Sequence, residues 1–321
     1  MEFSGILIAL FKLFFLLIAG FTLNKLRMLD SRVNKGMTSL VVNLTNPALI
    51  LGSLSSTGAV TEGNVLILLL FSVGMYIFLP AAAYLLTRLF RVKADRRGIA
   101  ELLLIFGNTA FMAIPILQAL YGDVAVFYLT IMNMPFNFLV HSYGVWLLGR
   151  DRMAQIAAAP QSTTEVSSRF SLKSLMSPGI ICSVVALLMY FTHIQFPAIL
   201  RETFSFVGGI TPPLSMLIIG SILAEYPLSS IFSDLKIKLL LTAKLLLFPI
   251  AALVLAKLFF NDSVIVGIIT ISLAMPCASF CTMLSKEYDV NTDIASSGVV
   301  FTTVLSLATV PLVYLALSRF F

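Results

Sequence analysis

Charge is scarce in this sequence. Of its 321 residues only 11% are charged and 59% are hydrophobic, whereas soluble domains carry about 25% charged residues. That excludes a water-soluble globular chain and leaves an integral membrane protein. Cysteine is sparse too: Cys182, Cys277 and Cys281 all lie in apolar runs, which argues against a disulfide framework. Cys277 and Cys281 stand one helical turn apart, but no histidine or acid accompanies them, so they read as packing residues and not as half a metal site. The fifteen acidic residues fall in connections or at the ends of apolar stretches, Glu101 and Asp123 bracketing one of them. A proton pump relies on an acid at the midplane, so carboxylate-based proton exchange is disfavoured and a cationic substrate lacks a counter-charge. The first apolar stretch has no basic n-region and no small-residue cleavage site, so residues 1–20 read as a retained helix. No nucleic-acid module is visible. His141 and Ser142 are neighbours in sequence, but adjacent residues on a helix point in different directions, and no enzyme or cofactor is expected.

What the chain does have is long apolar runs. Spans of about 20 residues fall at 3–26, 37–54, 65–90, 99–121 and 124–148, then at 175–191, 198–223, 237–260, 264–285 and 294–317. A polar segment rich in Ala, Ser, Thr and Gln separates the two sets and reads as a mobile linker. The organisation is a first unit at 1–149, a linker at 150–173 and a second unit at 174–321.

Basic residues set the orientation. Sixteen lie in one set of connections or close to it, from Lys25 and Arg27 through Arg96, Arg150 and Arg169 to Lys286, whereas only Arg201, Lys257 and Arg319 lie on the other side. The positive-inside rule then places the linker in the cytoplasm and both termini outside, in the cytoplasmic membrane. Five spans per unit is an odd number, so two similar units must be inverted relative to one another. The second span reads Thr45-Asn46-Pro47 and then Gly52-Ser53; the seventh reads Thr211-Pro212-Pro213 and then Gly220-Ser221.

The fourth and ninth spans each carry a lone proline in mid-span, Pro115 and Pro276. Proline lacks an N–H and clashes with the preceding turn, so both spans are expected to break there. A break at membrane depth is tolerated only against protein or a wet cavity, and broken helices of inverted repeats are where secondary transporters hold their substrates. Helices restarting at these prolines would aim unpaired N–H groups and a positive dipole end at the midplane, a setting that suits a carboxylate. The other buried polar groups are neutral and rich in asparagine: Asn43, Asn46, Asn108, Asn133 and Asn137, with Thr109 beside Asn108. Lys244 reads as a snorkelling side chain. Lys12, well inside the first span, faces either a water-filled crevice or carbonyls of another helix.

Four segments in order, NPALILGSL (46–54), GNTAFMAIPILQALYGD (107–123), TPPLSMLIIGSILAE (211–225) and AMPCASFCTMLSKEYDV (274–290), resemble the auxin efflux carrier family in its bacterial branch. The likeness to plant PIN-type carriers is more distant, and the long cytoplasmic loop of those carriers is missing. The resemblance implies ten spans in two inverted five-helix repeats, similar to bile acid sodium symporters, with a scaffold, a mobile transport part, and fourth and ninth helices that cross at Pro115 and Pro276. It also implies that Asn108, Ile50 and Asn133 lie near the substrate carboxylate or ring. Bacterial relatives are often assigned to malate, malonate or other carboxylates. The third span, 65–90, lacks the interior acid–base pair of the plant carriers, which puts a proton-linked support site there in doubt.

The fold expected is therefore an all-α polytopic membrane protein, ten transmembrane helices in two inverted five-helix repeats with broken, crossing fourth and ninth helices. The function expected is elevator-type transport of small organic anions, with sodium-coupled symport as the alternative and a membrane sensor or intramembrane enzyme as readings from other classes. The candidate substrate-binding set is Asn46 and Ile50 on the second span, Asn108, Thr109 and Pro115 on the fourth, Asn133 and Asn137 on the fifth, and Pro276, Cys277 and Ser279 on the ninth. Expected partners are the organic anion, membrane lipids, a coupling ion that is either a proton or sodium, and a second copy of the chain in a homodimer.

Overall fold

Backbone groups in lipid have no water to bond, so a chain this apolar must satisfy them within helices. The computed structural model describes residues 3–158, 177–225 and 234–320, and among these residues it is helical, without strands. Helix α1 (Phe3–Lys25) is followed by α2 (Ser31–Leu40), which starts where the Asp30 carboxylate accepts a hydrogen bond from the Val33 N–H at 2.8 Å. A π turn over Val41–Thr45 joins α2 to α3 (Asn46–Ser53). The wider turn accommodates Pro47, which has no N–H to return to the preceding turn.

Helix α4 (Glu62–Leu89) contains Pro80. The next span is in two pieces, α5 (Arg97–Ile105) and α6 (Ile114–Tyr121), with a π turn over Thr109–Ala113 leading into α6. Helices α7 (Asp123–Met132), α8 (Met134–Leu139) and α9 (Val145–Ala158) follow, with a 40° bend between α7 and the rest. Beyond the undescribed segment come α10 (Pro178–Phe191), capped by Ser177, then α11 (Ala198–Gly208) and α12 (Thr211–Glu225). Helix α13 (Leu235–Phe259) contains Pro249. Helices α14 (Ser263–Leu273) and α15 (Ser279–Glu287) are separated by a break, and α16 (Thr292–Ser318) contains Pro311.

Five helical stretches among the described residues are long and apolar enough to cross a membrane: Ser31–Gly58, Glu62–Leu89, Ala198–Glu225, Leu235–Phe259 and Thr292–Ser318. The bent pair Asp123–Met132 and Met134–Ala157 makes a sixth if it counts as one span. Helix α9 runs on to Ala158, so residues 150–158 of the expected linker are helical and not a loose connection. Its alanines favour helix, and Asp151 ties it to the start of α5 by accepting the N–H groups of Gly98 at 2.6 Å and Ile99 at 2.9 Å. The rest of the expected linker, 159–173, lies outside the described residues.

The helices pack as two groups. In the first, α1 lies along α12, and α3 lies against α10 and α11. Association in lipid depends on close approach more than on water exclusion, and glycine provides it. A Cβ on Gly20 would stand 2.2 Å from the Leu217 carbonyl oxygen, and one on Gly220 would stand 1.8 Å from that of Leu17. Gly208 abuts Leu49 of α3 in the same way, at 2.5 Å from its Cα. Thr211 and Thr45, which occupy corresponding places in the two matching motifs, share a buried hydroxyl hydrogen bond of 2.9 Å. The second group holds α4, α5, α7, α9, α13, α14 and α16. The groups meet where α3 packs on α7 and where α6 packs on α1 and α12.

Candidate functional site

The two interrupted spans touch at their interruptions. The Asn108 N–H donates to the Pro276 carbonyl at 2.7 Å, and the Ala278 N–H donates to the Phe106 carbonyl at 3.0 Å. Gly107 and Cys277 thus face each other in an isolated antiparallel bridge, the one piece of β-type pairing among the described residues. A Cβ on Gly107 would lie 3.6–3.7 Å from the backbone of Ser272 and from Met275, so the packing here is snug without being closed to a side chain.

The bridge corrects the expected break points. Pro276 sits at the break of its span, but Pro115 does not: it lies inside the helical stretch Thr109–Tyr121, seated behind a π turn as Pro47 is. The first break falls earlier, at Phe106–Asn108, and Asn108 starts the new helix by accepting the Phe111 N–H on its Oδ1 at 3.3 Å. The local two-fold of the bridge pairs Phe106 with Pro276 and Asn108 with Ala278, so the two mid-span prolines are not in matching places.

The expected row of unpaired N–H groups is also largely absent. Asn108, Cys277, Ala278 and Phe111 all donate to protein acceptors, Cys277 to the Thr302 hydroxyl at 3.0 Å. Orphan donors are too costly to leave buried. The positive feature at the crossing is instead Lys244, from the middle of α13. Its side chain is buried and does not snorkel. The ammonium donates to the carbonyls of Leu103 at 2.8 Å and Phe106 at 3.4 Å, and lies 3.8 Å from the Cys277 sulfur. These are carbonyls that the break leaves without helical partners. Among the described residues Lys244 has no ion pair.

A small cavity with room for about one water molecule opens beside the crossing, lined by Gly107, Thr109, Lys244, Tyr76, Ser272 and Met75 among others. Thr109 is the one candidate site residue that lines it. Asn108, Pro276 and Cys277 form the bridge at its wall, and Ser279 is the first residue of α15, half-buried. Asn133 follows Met132, another lining residue, at the junction of α7 and α8. Its backbone carbonyl accepts from Asn137 Nδ2 at 3.2 Å, while its own Oδ1 is buried without a partner. Asn46 Oδ1, at the start of α3, is likewise unpartnered, and Ile50 is buried on the same helix. Nothing draws Lys12 inward: it is exposed on the flank of α1. Asn43 is exposed and bonded to Ser39. Ser142 bonds back to Phe138, and His141 stands edge-on to Phe280.

Sequence reasoning set Lys244 aside as a snorkelling side chain and did not single out Thr302. A lysine deep in an apolar helix was the available signal for the first; the second is one hydroxyl among many on α16.

A family model described as membrane transport protein matches residues 5–314. The chain belongs to this family. It is the family of the auxin efflux carriers, in agreement with the four motifs. An uncharacterized transporter of Methanocaldococcus jannaschii is 20% identical over 291 residues, covering 87% of this chain and 88% of that protein. The protein is a multi-pass membrane transporter.

Proposed function

We propose that the protein is a secondary transporter of small organic anions, carboxylates above all, with ten spans in two inverted five-helix repeats. The observation that carries this reading is Lys244. It brings a buried positive charge to the crossing of two broken helices, beside a cavity and without a carboxylate to neutralise it. Its hydrogens are engaged by protein acceptors, so it acts on an anion through its field, which is strong in a low-dielectric site. Thr109, Asn133 and Asn46 supply neutral polar groups nearby or on the facing helix group. The first helix group, tied together by glycine contacts, is the scaffold; the second carries the crossing and moves against it as an elevator. That movement also has to widen the cavity, which in this structure is much smaller than a carboxylate substrate.

Lys244 weighs on the coupling ion as well. The carbonyls of Leu103 and Phe106 are the kind of oxygen a sodium ion requires, and the ammonium already holds them. Sodium-independent transport is therefore favoured over sodium symport. The test is a thermal-shift screen of carboxylates on purified protein, since a ligand that binds the folded state raises its apparent stability. Flux of the hits into proteoliposomes, with and without sodium, follows. At least one carboxylate should stabilise the protein and cross without sodium. A broad panel that neither binds nor crosses would overturn the reading in favour of a sensor.

A further inference from the structure

Helix α9 runs on past its span toward the linker, and its hold on the rest of the molecule centres on one acid. Asp151 is completely buried between α9 and the start of α5. Its Oδ1 accepts the Gly98 N–H at 2.6 Å, and its Oδ2 accepts the Ile99 N–H at 2.9 Å and Asn291 Nδ2 at 3.3 Å. The two helices approach closely enough to shut water out. A Cβ on Gly98 would stand 2.2 Å from the Leu147 carbonyl oxygen and 2.7 Å from Asp151 Oδ1.

One carboxylate thus joins the linker-side ends of both broken spans. Gly98 and Ile99 lie in the first turn of α5, and Asn291 lies between α15 and α16, just past the second broken span. Asn291 is the hub. Its amide also donates to the Asp95 carbonyl at 2.7 Å, and its Oδ1 accepts Gln155 Nε2 of α9 at 3.0 Å. Arg152 of α9 adds a bond to the Asp289 carbonyl at 3.1 Å.

What Asp151 lacks is a cation. Around it stand Arg150 and Arg152 on α9, Arg97 and Glu101 on α5, and Asp95 and Arg96 in the turn Ala94–Arg96. His141 and Tyr143 come from the π turn Val140–Gly144, and Tyr288, Asp289 and Asp293 from the connection into α16. The arginines are engaged elsewhere: Arg150 with Glu101 at 3.0 Å, Arg96 with Asp234 at 3.0 Å, Arg152 with Asp289, and Arg97 with the Val92 carbonyl at 2.9 Å. Of the two buried acids, Glu101 has an ion pair and Asp151 has none among the described residues. Neutral donors offset only part of the cost of burying a charge. Burial pushes the Asp151 carboxyl up to about 6, against the pull of the Ile99 and Gly98 N–H groups and of Arg150.

We propose that Asp151 is a proton-binding site that controls how firmly α9 holds the two broken spans. Neither part of this rests on the transporter reading. In the step, a hydronium ion gives its proton to Oδ2 and leaves as water. The backbone N–H groups of Gly98 and Ile99 cannot turn away, but the Asn291 amide can. It turns over so that its Oδ1 accepts the new O–H, and the Gln155 amide turns with it. The bond given up is the one to the Asp95 carbonyl. Linkage sets the sign. When α9 lifts away, Asp151 meets water and its carboxyl returns to the ordinary value of about 3.9. The docked form therefore binds the proton more tightly than the undocked form. Acid tightens the dock, and the hold weakens as pH rises through about 6.

The test is infrared difference spectroscopy of the purified full chain in lipid vesicles, titrated from mildly acidic to mildly alkaline solution, with hydrogen exchange of the α5 amides alongside. The wild type should show the carbonyl band of a protonated carboxylic acid, lost with a midpoint near pH 6. Asp151→Asn should lack that band. Glu101→Gln should keep it with the midpoint moved to more acidic solution, because a negative neighbour is removed and Arg150 is released. Exchange at the start of α5, corrected for the intrinsic effect of pH, should be slowest in acid for the wild type and insensitive to pH in Asp151→Asn. A wild type without the band, a band that persists in Asp151→Asn, or one abolished in Glu101→Gln overturns the proton site. If Asp151→Asn does not fold, the Glu101→Gln titration decides, and an unmoved midpoint overturns the assignment. A titrating band with exchange that ignores pH overturns control of the dock.

Discussion

Lys244 and Asn108 show how single side chains hold the crossing. Replacing Lys244 by Met keeps much of the apolar stem but removes the ammonium from two carbonyls, leaving Leu103 with the weak Cys277 thiol donor and Phe106 with the Ala278 N–H. A hydrogen bond from a charged group is worth about 1.5–3 kcal/mol, so Lys244→Met should lower thermal stability and also weaken anion binding; undiminished affinity would remove Lys244 from the site. Asn108 has a double role, because its Oδ1 caps the restarted helix. Asn108→Ala should cost about 1 kcal/mol of stability as a lost cap. If the side chain also bonds the anion, affinity falls by roughly tenfold to more than a hundredfold, the equivalent of about 1.5–3 kcal/mol. Asn108→Asp separates the two effects: it keeps a capping oxygen but sets a negative charge against the anion, so stability should hold while binding drops. The prolines differ for a structural reason. Pro115 lies within a helix behind a π turn, so Pro115→Ala should change stability and leave anion affinity nearly untouched. Pro276 presents the carbonyl that receives the Asn108 N–H, and Pro276→Ala, which frees the break to re-form helix, should lower affinity. Equal effects on affinity in the two variants would contradict this geometry.

At the scale of elements, the contacts that matter are helix against helix with little side chain between. Gly220 of α12 meets the backbone of α1 at a distance no Cβ can occupy, and Gly20 reciprocates. Overpacking of this kind typically costs 1–3 kcal/mol, sometimes more, so Gly220→Ala should markedly lower the unfolding temperature of the purified protein. Gly74, in the middle of α4, has nothing within 4 Å of its would-be Cβ. Gly74→Ala should be neutral or stabilising by up to about 1 kcal/mol from helix propensity alone. A Gly220→Ala variant as stable as Gly74→Ala would mean that α1 and α12 are not packed as described. The broken spans obey the same logic from the other side: where helix stops, the freed backbone groups are taken up by a partner break, by Thr302 and by Lys244.

For the whole molecule, the proposal is that one helix group moves against the other, and one contact reports on it. His193, just after α10, lies 3.5 Å from Glu62 at the start of α4, and both side chains are well exposed. As a surface pair it adds little stability, but it spans the two groups. Cysteines at both positions, joined by a short thiol cross-linker in a protein otherwise free of cysteine, should stop flux while leaving carboxylate-induced stabilisation in place. Full flux in the cross-linked protein would end the elevator reading. Orientation is tested separately. A cysteine at Thr61 should label from outside only, and cysteines at Ser162 and Ser168, which lie outside the described residues, from the cytoplasm only.

Much of this was legible in the chain itself. Low charge and long apolar runs dictate helices in a membrane, because lipid leaves the backbone no other partner, and four ordered motifs carry the family. The same sequence locates the two interrupted spans through their mid-span prolines, Pro115 and Pro276, although the first break falls at Phe106–Asn108 and not at Pro115. What it left open depends on contacts between residues far apart in the chain. A proline marks a local constraint, and whether a π turn absorbs it, as at Pro115, or a second break answers it, as at Pro276, depends on what packs opposite. The fate of Lys244 was undetermined for the same reason. Position along a span tells how far a side chain is from the span's end, but only the neighbouring helices decide whether its charge reaches water or meets a carbonyl 141 residues away.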